Sequence, residues 1–350
     1  MCDKHETQDL SRRNFIKTSS ALGAGLLLGG FAAPSFAASS EQLANGNIKS
    51  RGYAAFDNSG LLKPWEFERR PVGDNDILIE IKFASICHSD IHQMKGHWGA
   101  QQYPQVPGHE IAGIVTAVGK NVTKFKVGDR AGVGCMVDSY LDCNSCKDQG
   151  EQYCPETKFT YGYPDERSPT GITQGGYSNN IVVRDHFAVH IPENISLEHA
   201  APLLCAGITT YSPLLKFNLK KGDKVGVVDG EDAYNEHKSQ LDYLINTLPV
   251  KYDIAKYASL VKPFGTYTQV GMPEEFSLNM NALALAASRV NFNASLIGDM
   301  QETQEVVDYC AKNNILPATQ LIKASEINNA WQSVVEKKAR YRYVIDASTF

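Results

Sequence analysis

Cys87-His88-Ser89-Asp90-Ile91-His92, followed by Pro107-Gly108-His109-Glu110, sets one thiol, three imidazoles, a hydroxyl and two carboxylates close together in the chain. A further thiol lies downstream in Pro202-Leu203-Leu204-Cys205-Ala206-Gly207. Two cysteines and a histidine, with one position left open, are the ligand set of a catalytic rather than a structural zinc. Asp90 is suited to accept the free ring N–H of His109 and so fix its tautomer. A lone cysteine on an apolar stretch is more often inert core, and a lone histidine more often a surface residue. Several ligand types at fixed spacing are far less often coincidence.

Around this stretch the chain reads as short strands and turns, from residue 48 to about residue 192. Residues 77–83 and 110–118 are strand-like, and turns such as Val127-Gly128-Asp129-Arg130 separate them. This predicts a β-rich, barrel-like first domain. After Cys205 the pattern changes. Short apolar segments at 224–228, 243–248, 266–271 and 290–297 alternate with helical text, for example 300–313, which predicts a parallel α/β sheet. Residues 341–346 are again strand-like and are expected to return to the first domain.

The chain has 350 residues, 43% hydrophobic and 21% charged, and a net charge of −5. That composition suits a globular protein of about two domains. The charge and the lack of a basic, aromatic-interleaved run give no reason to expect nucleic acid. No apolar run reaches the roughly 20 residues of a spanning helix. Near the N-terminus, Ser11-Arg12-Arg13-Asn14-Phe15-Ile16-Lys17 precedes a weakly apolar run and then Ser35-Phe36-Ala37. This resembles a twin-arginine export signal over residues 1–37, cleaved after Ala37, and predicts a periplasmic protein. A disordered basic N-terminus with an interfacial apolar segment is the competing reading.

Taken together, the Cys-His-Ser-Asp-Ile-His and Pro-Gly-His-Glu motifs, a cysteine-rich loop and Leu-Leu-Cys-Ala-Gly-Ile-Thr-Thr resemble zinc-dependent medium-chain alcohol dehydrogenases. The nearest subgroup is the cinnamyl-alcohol-dehydrogenase-like one, usually NADP-dependent aldehyde reductases. The resemblance implies an α/β protein with a GroES-like β-rich catalytic domain, residues 48–205 and 320–350, and a Rossmann-like nucleotide-binding domain, residues 206–319. It implies catalytic zinc on Cys87, His109 and Cys205, with Glu110 able to enter as ligands exchange. Ser89 and His92 resemble a proton relay to solvent, a task suited to a hydroxyl next to an imidazole. His88 and Arg342 match positions that contact the phosphates of NADP(H), and Thr209 one packed near the nicotinamide. Trp98 is a candidate wall of an apolar substrate pocket, with ordinary packing as the alternative. The implied partner is a small alcohol or aldehyde, and a homodimer is expected.

Two features depart from the family pattern. A second, structural zinc would take four cysteines, but the loop reads Tyr140-x2-Cys143-x2-Cys146-x7-Cys154, so the first ligand is a tyrosine. Asp142, Cys135 or water is left to complete the four ligands that a structural zinc needs. The competing reading is an empty site, with a disulfide after export.

The second departure follows Val228, where a dinucleotide fold needs G-x-G-x-x-G. The chain has Asp229-Gly230-Glu231-Asp232-Ala233, with one glycine among carboxylates that would repel a pyrophosphate. About 40 residues, the length of two strand–helix units, are missing relative to the family. The lost strands would be the second and third, neighbours at one edge, leaving 1-4-5-6 contiguous and residues 224–228 as a new edge. The strand that selects NAD or NADP would go with them. Two readings follow: a zinc-dependent, NAD(P)-linked oxidoreductase, or a degenerate zinc-binding relative that does not hold the cofactor usefully.

Overall fold

Strict alternation builds the first sheet. In β3 (Asp76–Ser85) Ile77, Ile79 and Ile81 enter the main core, while Leu78 packs on the other face with Ala117 and Val182. The computed structural model describes residues 46–217, 219–228, 238–275 and 280–350; the export signal and the segment 229–237 lie outside them. The described residues belong to one compact unit.

The chain opens with an antiparallel hairpin of β1 (Ile48–Ala55) and β2 (Leu62–Arg69). After β3 comes a short helix, α1 (His88–Met94), then β4 (Ile111–Val118), β5 (Arg130–Val133) and β6 (Met136–Asp138). The cysteine-rich loop carries α2 (Asn144–Lys147) and leads to β7 (Lys158–Phe159), which pairs with β6. β8 (Asn180–Arg184), β9 (Ala188–His190) and α3 (Leu197–Ala200) follow. Cys205 then caps α4 (Ala206–Lys216).

The second sheet holds β10 (Val225–Val228), β11 (Leu241–Asn246), β12 (Val261–Gln269) and β13 (Asn291–Ala294), all parallel and in that order. α5 (Ile254–Ala258) and α6 (Ala282–Ser288) lie between strands. Leu244, Ile254, Tyr257, Val261 and Tyr267 form a separate apolar cluster here. The order matches a doubly wound sheet reduced to its first, fourth, fifth and sixth strands. Residues 229–240 alone separate β10 from β11, enough for one crossover but not for two strand–helix units. Two boundaries move: β12 begins at Val261 rather than 266, and β13 ends at Ala294, short of Ile297.

α7 (Met300–Asn313) is capped by Asp299, whose carboxylate accepts from Glu302 N–H, and buries Val306, Val307 and Cys310 in the main core. β14 (Thr319–Lys323), α8 (Ile327–Val335) and β15 (Arg342–Asp346) then return to the first sheet. That sheet has seven strands: β14-β15-β3-β4-β5-β9, with β8 also on β3. β15 runs antiparallel to β3 with Val344 opposite Ser85, two residues before Cys87.

Among the described residues β10 is left as an edge strand, with Val227 57% exposed. A paired neighbour would cover it; a lysine repels a second edge instead. Val227→Lys should therefore slow aggregation on heating, read by light scattering. Unfolding stability should change by no more than about 0.5 kcal/mol, as is usual for a surface site.

Candidate active site and metal centre

A buried carboxylate organises the site. Asp90, on the first turn of α1, accepts from Cys87 N–H at 3.0 Å, Gly108 N–H at 3.1 Å and Tyr177 O–H at 2.9 Å. Its Oδ1 also lies 3.0 Å from His109 Nδ1, and the Tyr161 ring packs on the His109 ring at 5.6 Å. Asp90 thus ties the residue before α1 to the Pro-Gly-His-Glu turn. Gly108 adopts φ +104°, and a Cβ there would sit 2.5 Å from the Tyr177 ring, so only glycine fits this approach. With Nδ1 turned to Asp90, Nε2 of His109 is left for a metal.

The donor atoms of Cys87, His109, Glu110 and Cys205 all lie within 4.8 Å of one another, and all four residues are buried. The sulfurs of Cys87 and Cys205 are 4.0 Å apart. Two thiolates on one tetrahedral zinc, each at about 2.3 Å, stand roughly 3.8 Å apart, so the donor set fits zinc. Hydrogen bonding from Cys205, then His109, holds the Cys87 thiol well below its usual range against burial. Hydrogen bonds with Cys135 and Cys87, and burial, push Cys205 well above it. One thiolate shared with a neighbouring thiol is a site ready to exchange protons for a cation.

Glu110 bonds the Ser85 hydroxyl, Ala206 N–H at 3.2 Å and Arg342 Nη2 at 3.0 Å. Burial raises its carboxyl to about 7 although Arg342 pulls it down. Arg342 also donates to the Ile86 carbonyl at 2.8 Å. The guanidinium expected on cofactor phosphates is therefore engaged with the metal cluster.

Ser89 and His92 lie one turn apart on α1, with His88 stacked beside His92 at a ring separation of 4.7 Å. The Ser89 hydroxyl has no hydrogen-bond partner among the described residues. His92 Nε2 is buried and unpaired, and so is the hydroxyl of Thr209 on α4. An orphaned hydroxyl beside the Cys205 turn fits a polar group of a bound nicotinamide. At the expected adenosine end, no strand pairs with the outer side of β10 among the described residues. Trp98 sits 5.4 Å from the His92 ring and donates its indole N–H to the Pro273 carbonyl at 3.0 Å.

In the second cluster, the Cys143, Cys146 and Cys154 sulfurs converge, with Cys143 and Cys146 3.4 Å apart. Among the described residues every cysteine is a free thiol. Tyr140, in the place of the first ligand, is 62% exposed. Two fourth ligands weighed from the sequence are corrected. Cys135, between β5 and β6, lies beside Cys205 at the first centre, and Asp142 pairs with Lys147 at 2.7 Å in solvent. Sequence reasoning also missed Tyr177 as a donor to Asp90, since a lone tyrosine in a β-rich segment carries no spacing signal.

Replacing Asp90 by Asn should weaken zinc binding by about 10–100-fold, the usual cost of losing such a partner, as read by chelator competition. A second expectation concerns pH. Burial first, then His88 and His97, hold the His92 ring down to about 4 against the pull of Glu274. The unfolded chain takes up a proton near pH 6.5 that the folded one refuses, so this contribution to stability is present above 6.5 and lost as pH falls towards 4. His92→Asn should flatten that part of the profile of urea midpoint against pH.

Comparison with known proteins places the chain. The alcohol dehydrogenase GroES-like domain family matches residues 73–193, and the twin-arginine translocation signal matches residues 9–29, so the N-terminus directs export by that route. Cinnamyl alcohol dehydrogenase 2 of Arabidopsis thaliana is 38% identical over 349 residues, covering 86% of this chain and 92% of its own. NADP-dependent alcohol dehydrogenase C 1 of Mycolicibacterium smegmatis is 38% identical over 341 residues, covering 85% of this chain and 97% of its own. These spans exceed what such shares of 350 residues fill, so both relatives carry residues that this chain lacks. Among solved structures, the Helicobacter pylori enzyme complexed with NADP(H) superposes with a TM-score of 0.81 at 39% identity, covering 87% of this chain and 99% of that one. The chain belongs to the zinc-dependent medium-chain alcohol dehydrogenase family, in its cinnamyl-alcohol-dehydrogenase-like subgroup of alcohol and aldehyde oxidoreductases.

Proposed function

We propose that this chain is a periplasmic zinc oxidoreductase that interconverts primary alcohols and aldehydes with NADP(H). The observation that carries the reading is the convergence of Cys87, His109, Glu110 and Cys205 on one point beside α1. When bound there, zinc polarises the alcohol or carbonyl oxygen, and a nicotinamide exchanges the hydride. Cys87, Cys205 and His109 hold the metal, and Asp90 orients the His109 ring. Ser89 takes the alcohol proton and passes it on towards solvent by way of His92, whose ring burial keeps neutral at pH 7, so that it relays the proton without retaining it. Thr209 packs near the nicotinamide, His88 and Arg342 contact the cofactor phosphates, and Trp98 walls the substrate pocket. In this reading residues 48–205 and 320–350 are the catalytic domain, residues 206–319 bind the cofactor, residues 1–37 are removed on export, and the protein is a homodimer.

One observation favours a second reading, a zinc-binding relative with little hold on NADP(H): among the described residues β10 has no strand on its outer side for the adenosine half to rest on. The zinc-loaded protein is titrated with NADPH while nicotinamide fluorescence and aldehyde reduction are followed. Saturation at micromolar NADPH with turnover is the expected result. No binding at millimolar NADPH overturns the oxidoreductase reading in favour of the second. Cys87→Ala should abolish reduction, and activity surviving that change would sink the zinc mechanism. Elemental analysis finding one zinc per chain would leave Cys143, Cys146 and Cys154 without a metal.

A further inference from the structure

A second group of ligands lies beyond the thiolate centre. α1 ends at Met94, and Gly96, at φ +69°, turns the chain back so that His97 N–H reaches the His92 carbonyl at 3.0 Å. This turn brings Nδ1 of His97 to 2.8 Å from Nδ1 of His92. From the other sheet, the segment after β12 is held by the Trp98 indole on the Pro273 carbonyl at 3.0 Å. Glu274, next in the chain, then stands with Oε1 3.5 Å from His97 Nδ1. Donor atoms of all three residues lie within 4.8 Å of one another.

We propose that His92, His97 and Glu274 form a second transition-metal site, taking Zn2+ or a metal of similar size and ligand preference. Two imidazoles and one carboxylate, with a fourth position open to water, are a set that binds such ions. Donors at about 2.0–2.2 Å on a tetrahedral ion stand roughly 3.3–3.5 Å apart, so His97 has only to draw back a little from His92. Glu274 is 63% exposed along its side chain and can swing to close the set. The contrast with the first centre is chemical: thiolates dominate there, whereas this set has no sulfur. An ion here would pin the segment after β12 to α1. It would also occupy the His92 nitrogen, which, on the function proposed above, stops the proton relay.

The test starts from the full protein with its thiolate sites already filled, titrated calorimetrically with Zn2+ alone. One further, weaker equivalent is expected. His97→Ala and Glu274→Gln should each weaken it by more than the ~10–100-fold that loss of an outer partner costs, with the zinc already bound unchanged by elemental analysis. Co2+ added in place of the second Zn2+ should show ligand-field bands without thiolate charge transfer. No further equivalent, one that persists unchanged in both variants, or one with thiolate absorption overturns the site. Excess Zn2+ should also slow aldehyde reduction by the wild type but not by the His97→Ala protein. If the protein reduces no aldehyde, only the proposed function fails, because the calorimetric result still decides this one.

Discussion

The Asp90 carboxylate is the constraint on which the centre depends. A charge taken fully out of water is costly unless hydrogen bonds replace the lost solvent. Here backbone N–H groups from two separate turns, a tyrosine hydroxyl and an imidazole supply them. Each donor is fixed in turn by the same acceptor, so the turn before α1 and the Pro-Gly-His-Glu turn cannot shift independently. Leaving one such buried donor unpaired costs about 1–3 kcal/mol, so the network penalises any geometry that spreads the metal donors apart. The Trp331 indole, 3.4 Å from the Tyr177 hydroxyl, extends the network to α8.

Much of this was legible in the residue order. Apolar strand-like runs set between turns marked β3 and β4, and short apolar runs spaced by helical text marked the parallel sheet. Cys87, His109, Glu110 and Cys205 were readable because ligand types at motif spacing leave a local trace, and the structure brings all four together. Tyr177 and Cys135 left none. Their neighbours in space come from strands far away in sequence, and the register that brings them in is set by the whole sheet. Cys135 misled for a related reason: closeness along the chain to Cys143 and Cys146 says little once β6 carries the loop away from the first centre. Arg342 was placed on the right element, and its contact with Glu110, a consequence of the pairing of β15 with β3, left no trace in the residue order.

The second sheet shows what a parallel fold tolerates. Removing two neighbouring strands from one side leaves the remaining order unbroken, and the cluster around Tyr257 and Tyr267 lies on the strands that persist. Helix and strand packing thus hold in a parallel sheet without the second and third strands of the full doubly wound order.

The pairing of β15 with β3 also sets an order of events during synthesis. Ser85 lies opposite Val344, and Arg342 closes over Glu110, so a strand made long after Cys87 seals the cluster. A nascent chain still held by the ribosome would display the thiols and imidazole before that strand emerges. The centre reaches its sealed form only once β15 has joined the sheet, which leaves the interval before that pairing as the time for the cluster to take up an ion before it is enclosed.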